Sequence, residues 1–135
     1  MAKLLNISEA ASIAIHSLAL IANSHEYLNI NRMSEKLGFS KNHMSKVLQI
    51  LVKYGFIYSE RGPKGGFRMK IDPEQINLLQ IFELIEGQLE EMHCNHQREN
   101  CPFEECVYGG INYELTIRFK EYFANKKLSD INIRN

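Results

Sequence analysis

The chain has 135 residues, of which 44% are hydrophobic and 24% are charged. This composition is that of an ordinary globular protein and excludes a disordered or low-complexity chain. No apolar run approaches the roughly 20 residues that span a bilayer, and the first residues lack the cleavage pattern of a signal peptide. We therefore expect a folded protein of one domain, or one domain with an extension, in the cytoplasm and without a membrane partner.

Charge is divided unevenly along the chain, although Lys+Arg and Asp+Glu both total 16. Residues 1–72 contain 10 Lys and Arg against 5 Asp and Glu, and residues 73–135 contain 6 against 11. A basic first part favours a polyanionic partner, and an acidic second part suggests a different role. We therefore predict one domain over residues 1–72 and a second part over residues 73–135.

Three helices are predicted in the first part. The first begins after Ser8, an N-cap residue, and the second fits Ile30–Leu37, ended by Gly38 because glycine readily adopts a positive φ. Ser40 caps a third helix that reaches about Lys53. A helix, a short turn and a second helix follow the order of a helix-turn-helix motif, in which the second helix enters the major groove of DNA.

The rest of the chain contains two predicted strands and two predicted helices. The runs FIYSE (56–60) and FRMKI (67–71) flank the turn residues RGPKGG, which predicts a two-stranded wing. A helix fits Leu78–Glu86, and a longer one runs from Ile111 to about Asn125 with an aromatic-rich apolar stripe. The tail KKLSDINIRN is short and polar. We expect a mainly α fold with a small β-hairpin: a winged helix-turn-helix domain followed by a long C-terminal helix.

The third helix separates its polar and apolar side chains. Six polar residues fall within an arc of about 140° on a helical wheel, and such side chains pair with base edges and phosphates. A solvated surface helix would show a similar arc, and RGPKGG alone would be a tight turn. The basic wing favours DNA binding, since residues 31–70 hold 9 Lys and Arg against two acids. The candidates are Ser40, Lys41, Asn42, Ser45, Lys46, Gln49, Arg61, Lys64, Gly65 and Gly66.

Three cysteines lie close together in the second part, with the spacing Cys-x6-Cys-x4-Cys at Cys94, Cys101 and Cys106. Soft thiolates bind zinc, copper(I) or iron-sulfur clusters, and the spacing alone does not choose among them. His93 and His96 leave open a zinc site, or an enzyme with a cysteine nucleophile and a histidine base. Thiols without metal, either inert or reversibly oxidised, are a further alternative. No oxyanion or substrate-pocket motif is recognisable, so we expect no enzyme.

The order of these motifs resembles the winged-helix regulators that include the iron-sulfur assembly regulator IscR and the nitric oxide sensor NsrR. The resemblance covers nearly the whole chain: the segment SEKLGFSKNHMSKVLQILVKYGFI, the wing SERGPKGGF, the cysteines and the helix that ends in KKLSDI. It implies a homodimer, joined through the helix near residues 109–125, on a palindromic operator in double-stranded DNA. The stripe over Ile111–Phe123 fits this interface, although burial within one chain would produce the same stripe.

The same resemblance implies roles for individual residues in DNA binding. Asn42, Ser45 and Lys46 occupy base-reading positions. Arg61 corresponds to the wing arginine that enters the minor groove.

The resemblance also implies a cofactor. In the family, three cysteines hold a 2Fe-2S or 4Fe-4S cluster. Some members add a histidine three residues after the third cysteine, where this chain has Gly109. Others use an acid near the start of the partner's first helix, where this chain has Glu9, although the helix dipole explains such an acid equally well. His93, His96 and Glu105 are local alternatives for the fourth ligand.

The function expected from these features is a transcription repressor that is switched by the cluster and senses redox conditions, nitric oxide or iron-sulfur status. A winged-helix regulator without a cluster, which uses thiol oxidation or zinc, is one alternative. An adaptor that binds protein through the winged-helix fold is another.

Overall fold

Helices build most of the fold. The computed structural model describes residues 2–91 and 98–134. In those ranges the helices are α1 (Glu9–Ala22), α2 (Ile30–Leu37), α3 (Lys41–Lys53), α4 (Leu78–Glu86) and α5 (Ile111–Asn125). Strands β1 (Ile57–Glu60) and β2 (Gly66–Met69) form an antiparallel hairpin, and 3-10 turns cover Pro73–Gln75, Arg98–Asn100 and Leu128–Asp130. The predicted fold class, mainly α with one β-hairpin, is confirmed.

Side chains that cap the helices explain why the predicted boundaries hold. The Ser8 hydroxyl accepts a hydrogen bond from the Ala11 amide at 3.1 Å, and the Ser40 hydroxyl accepts one from His43 at 3.2 Å. Gly38 ends α2 with a φ of 76°, in the left-handed region. Each cap satisfies backbone groups that the first or last helical turn leaves without partners. The start of α1, the C-terminal end of α2 and the start of α3 are therefore encoded locally in the sequence.

The hydrophobic core is centred on α1, which packs against α3 and α4. The apolar side of α3 faces this core, and the hairpin contributes Ile57 from β1. The largest fully buried side chains of the core are Ile13, Leu18, Ile21, Met33, Met44, Leu48, Leu51, Ile57, Ile76, Ile81 and Leu128. Residues from both sides of the predicted boundary at residue 72 thus share one core. A division of roles between the two parts stays a prediction.

The segment after α5 returns to the core, although its composition is mostly polar. The Leu128 side chain is fully buried. Its amide donates to the Ile76 carbonyl at 2.8 Å, and the Leu78 amide donates to the Lys126 carbonyl at 3.0 Å. The Asn23 side-chain amide at the end of α1 donates to the Ile131 carbonyl at 2.9 Å. This segment, residues 126–131, therefore fixes the C-terminal end of α5 to α1 and α4.

Candidate nucleic-acid interface and cysteine segment

Helix α3 presents a polar face to solvent because its apolar face is anchored in the core. Met44, Val47, Leu48 and Leu51 are buried. On the other side Lys41, Asn42, Lys46 and Gln49 are exposed, with Ser45 half-buried and Ser40 exposed at the N-cap. The structure thus brings the predicted base-reading side chains onto one accessible face. Their role in DNA binding stays a prediction.

The turn between α2 and α3 is held by a side-chain hydrogen bond. The Ser34 hydroxyl donates to the Phe39 carbonyl at 2.6 Å, directly before the Ser40 cap. The His16 ring of α1 lies edge-on to Phe39, with 5.9 Å between ring centroids. The start of α3 therefore has a fixed direction relative to α1 and α2.

A contact that sequence reasoning missed joins α1 to the first turn of α3. A Glu9 carboxylate oxygen lies 3.5 Å from Nδ1 of His43, and the two side chains are 61% and 37% exposed. His43 lies at the edge of the polar arc, where a helical wheel assigns it to neither face. Glu9, predicted as a metal ligand, thus lies beside the candidate recognition helix of its own chain.

The tip of the wing carries two exposed cations, Arg61 and Lys64. Its turn closes through a hydrogen bond from the Gly65 amide to the Gly62 carbonyl at 3.0 Å. Gly65 and Gly66 are less exposed than the tip and lie against the protein's own backbone. Since α3 packs against β1, the wing directly adjoins the helix that carries the polar face. The exposed cations of α3 and of the wing therefore lie on adjoining elements, and exposed cations of this kind attract a polyanion.

Two of the three cysteines lie in the described ranges; Cys94, together with His93 and His96, lies outside them. Cys101 is half-buried, Cys106 is exposed, and both are free thiols. Backbone N–H groups of Gly110, Tyr108 and Gly109 stabilise the thiolate of Cys106 and lower its pKa, against a smaller opposing effect of burial. These N–H groups belong to the turn that starts α5. The Cys106 thiolate is therefore held by the backbone of the turn that precedes α5, and the lowered pKa increases the share of the charged, metal-binding form.

The described donors of one chain do not complete a metal site. Within residues 2–91 and 98–134, no three His, Cys, Asp or Glu side chains converge into a metal-binding group. Glu9, Cys101 and Cys106 of one chain therefore do not form such a group together. The two thiols fit a soft metal by their chemistry, and a complete set needs Cys94 or a ligand from a second chain.

Helix α5 packs against the rest of the chain along only part of its apolar stripe. Phe119 and Phe123 contact Phe82 of α4, with ring centroids 5.1 and 5.9 Å apart. Within the described structure, no residue of α5 is buried. Ile111, Leu115 and Tyr122 are 44%, 38% and 63% exposed. The predicted stripe thus exists, and one side of it remains open.

The open side of α5 forms one wall of an apolar groove of about 1100 Å³. The other wall includes the exposed residues Leu4, Leu5 and Ile7, which precede α1. Lys120 on the same helix places its Nζ 3.2 Å from a carboxylate oxygen of Glu91, which directly precedes residues 92–97. The residues at the two ends of the cysteine segment, Glu91 and Cys106, are therefore both held near α5, Glu91 by Lys120 and Cys106 by the N–H of Gly110.

A comparison with protein families places the chain among known proteins. Residues 7–132 match the Rrf2 family, described as iron-dependent transcriptional regulators. The chain belongs to the Rrf2 family. The resemblance seen in the sequence is thereby confirmed, and the Rrf2 relatives found are transcriptional regulators. No helix in the described part of this Rrf2 chain combines the length and hydropathy needed to cross a membrane.

Individual relatives support the same family. The chain is 34% identical to NsrR of Bacillus licheniformis over 80 residues, which are 58% of this chain and 56% of that protein. It is 33% identical to NsrR of Bacillus subtilis over 102 residues, 73% of this chain and 67% of that one. The chain thus spans little more than half of the first of these relatives.

Solved structures show the same fold. The structure of CymR, the global cysteine regulator of B. subtilis, superimposes with a TM-score of 0.76 at 19% identity, covering 94% of this chain and 95% of that one. The structure of T. potens IscR gives a TM-score of 0.69 at 21% identity, covering 94% of this chain and 85% of that one. At these identities the likeness concerns the fold.

Proposed function

We propose that this Rrf2 protein is a transcription repressor that binds a palindromic operator as a homodimer. The observation that carries the proposal is the exposed polar face of α3 beside a basic wing, on a helix whose start is capped by Ser40. Amide and hydroxyl groups on that face supply base contacts, and Lys41, Lys46, Arg61 and Lys64 supply phosphate or groove contacts. A symmetric dimer of such units reads a palindrome because its two-fold axis is matched by the DNA.

The open side of α5 supports the dimer. Phe119 and Phe123 of its apolar stripe pack on α4, while Leu115 and Tyr122 stay exposed and line a groove together with Leu4 and Leu5. Contiguous exposed apolar surface of this kind is typical of interaction sites. A second copy of α5 is the occupant that we propose.

Selection of duplexes from a random library by the purified full-length chain tests DNA binding. We expect enrichment of a palindrome, with nanomolar to micromolar binding in fluorescence anisotropy that weakens linearly on a log-log plot against salt. A shuffled duplex of the same composition is the control. Absence of any enriched motif, or equal affinity for the shuffled duplex, would contradict the proposal.

We further propose that Cys94, Cys101 and Cys106 hold a 2Fe-2S or 4Fe-4S cluster, with Glu9 of the partner subunit as the fourth ligand. The thiol chemistry of Cys101 and Cys106 and the lowered pKa of Cys106 support it. When bound, the cluster supplies a redox-active centre that oxygen, nitric oxide or iron shortage damages. The residues of this chain link that centre to α5, through the turn at Gly110 and the pair of Lys120 and Glu91.

Protein purified without oxygen tests the cluster. We expect visible absorption and matching counts of iron and sulfide, both lost in Cys106→Ser and retained in the control Glu104→Gln, at an exposed position without a proposed role. A colourless protein without iron would remove the cluster from the proposal, and it would leave DNA binding untouched.

The exposed Cys106 favours a second candidate, a thiol sensor without a cluster. Its thiolate is stabilised by backbone N–H groups, and a thiolate is the form that oxidants attack. In that case the iron-free protein binds DNA, loses affinity on treatment with peroxide and recovers it with dithiothreitol. Zinc counts in the same preparation distinguish a zinc site.

A further inference from the structure

The wing is attached to the segment before α2 by backbone hydrogen bonds. The Leu28 amide donates to the Phe67 carbonyl at 3.0 Å, and the Phe67 amide donates to the Leu28 carbonyl at 2.8 Å. These two bonds form an isolated antiparallel bridge, so Leu28 adds a one-residue third strand to the hairpin. We call this contact the wing bridge.

The side chain of Tyr27 lies in the segment next to the wing bridge. Burial, followed by the Glu60 carboxylate at the end of β1, raises the pKa of the Tyr27 hydroxyl. Tyr27 and Leu28 are neighbours in sequence, while Glu60 and Phe67 lie on the two strands of the wing. The same short segment therefore adjoins both strands.

Gly66 permits the wing bridge because it has no side chain. A Cβ at this position would lie 2.3 Å from the Leu28 carbonyl oxygen and 2.7 Å from the Asn29 amide nitrogen. Both neighbours are backbone atoms, which are unable to rotate away as a side chain does. Its φ of 136° is also one that other residues rarely adopt. Close approach of a second backbone is a recurrent reason for glycine in a strand.

Gly65 meets the same kind of constraint inside the wing. A Cβ there would lie 2.2 Å from the carbonyl oxygen of Glu60. The glycine pair was predicted from sequence to approach DNA. In the structure the approach of both residues is to backbone of the protein itself.

The wing bridge leads directly to the helix-turn-helix. Asn29, the residue after Leu28, caps α2 by accepting a hydrogen bond from the Arg32 amide at 2.9 Å. At the other end of α2, Ser34 holds the carbonyl of Phe39, and Ser40 then caps α3. Hydrogen bonds thus hold the chain at each turn between the wing bridge and the first turn of α3.

We propose that Gly66 is a positioning residue that sets the direction of the wing relative to α3 by allowing the wing bridge to form, and that Gly65 supports it by letting the turn of the wing close against the Glu60 carbonyl. This inference rests on the proposed DNA binding and adds that these two glycines act without touching DNA. Arg61 and Lys64 at the tip then reach phosphate or the minor groove only while the bridge is closed. The residues that specify the reach of the wing therefore include Leu28, which lies 33 positions before Arg61 at the tip.

A pair of matched glycine variants separates positioning from backbone strain. Gly62 has a φ of 111° and open space where a Cβ would lie, so Gly62→Ala introduces strain without a collision. Gly66→Ala introduces both. In the full-length chain we expect amide hydrogen exchange of Leu28 and Phe67, measured by NMR, to be at least about tenfold faster in G66A and near wild type in G62A, because exchange reports local opening.

Binding to a duplex enriched by the wild-type chain supplies the second readout. We expect G66A to bind at least about tenfold more weakly, with a log-log salt slope shallower by about one to two, since the wing cations leave the phosphates. G62A should keep the wild-type slope. Weaker binding with unchanged exchange at Leu28 and Phe67 would assign Gly66 to DNA contact and overturn the proposal. Faster exchange with unchanged binding would overturn it as well.

A second route to the same bond covers the case in which G66A does not fold. Phe67→Pro removes the N–H that donates to Leu28 and also fixes φ at residue 67, whereas Phe67→Ala keeps the N–H, so the exchange rate of the Leu28 amide is compared in both variants alongside binding. We expect the proline variant to bind more weakly than the alanine variant, and equal binding would overturn the proposal. If the wild-type chain enriches no duplex, the proposed function fails, while the exchange rates still decide whether Gly66 permits the wing bridge.

Discussion

Helix α3 and helix α5 both carry an apolar face, but the chain uses the two faces differently. In α3 four apolar residues are buried in the core, so the direction of the polar face is fixed. In α5, as the structure describes it, no residue is buried, and the ring contacts with α4 come from Phe119 and Phe123. The polar face of α3 is therefore oriented by contacts within one chain, whereas α5 leaves part of its apolar face exposed, and this is the face on which we propose that a second copy packs.

Truncation of Leu128, which should have the strongest effect, tests how firmly residues 126–131 belong to the core shared with α3. Leu128→Ala removes a fully buried side chain, and we expect a loss of about 2 to 5 kcal/mol in the free energy of unfolding, measured in urea. Ser129→Ala, at the exposed neighbour, is the control. A loss below about 1 kcal/mol would show that the core closes without this segment.

The next effect concerns the open side of α5. Leu115→Glu places a charge in the apolar groove, and we expect the dimer dissociation constant to rise at least about tenfold, which is about 1.4 kcal/mol. Sedimentation equilibrium measures it, with Glu114→Gln on the same helix as the control. An unchanged dimer would assign the interface to another surface.

Arg61→Ala tests the wing as part of the DNA-reading surface. We expect roughly tenfold weaker binding to the enriched duplex and a salt slope lower by about one, because one cation is lost from the phosphates or the groove. Arg134→Ala removes a cation from the far end of the described chain and should change neither quantity. Equal effects of the two variants would indicate a diffuse charge effect instead of a wing contact.

The smallest effect tests the contact between α1 and α3. Glu9 and His43 are partly exposed, so their interaction is worth at most about 1 kcal/mol. In iron-free protein we expect Glu9→Gln and His43→Ala each to weaken DNA binding up to about fivefold, and the double variant to be no worse than the stronger single one. Strict additivity in this double-mutant cycle would leave Glu9 only its proposed role as a ligand.

Local signals made much of the fold predictable. Ser8, Ser40 and Gly38 mark helix ends by chemistry that acts within a few residues, and the structure places α2 and α4 as the sequence predicted. The second strand differs, since it begins at Gly66 and ends at Met69. A glycine with positive φ still pairs with Glu60, which sequence patterns do not indicate.

Contacts between distant segments were the part that the sequence did not reveal. The burial of Leu128, the wing bridge at Leu28 and the pairing of Glu9 with His43 all join residues far apart in the chain. None of them has a periodic or capping signal, because a single residue in a polar segment gives no pattern. The exposed face of α3 was predictable because the thirteen residues of one helix give a periodic pattern of polar and apolar side chains.

The return of the C-terminal segment also governs when the protein folds. Asn23 and Ile131, which share a hydrogen bond, are separated by 108 positions. During synthesis α1 to α3 therefore leave the ribosome long before residues 126–131, which pack against α1 and α4, have been made. Until residue 128 emerges, the apolar surface that Leu128 covers has no counterpart in the chain, and exposed apolar surface of this kind favours aggregation of incomplete chains.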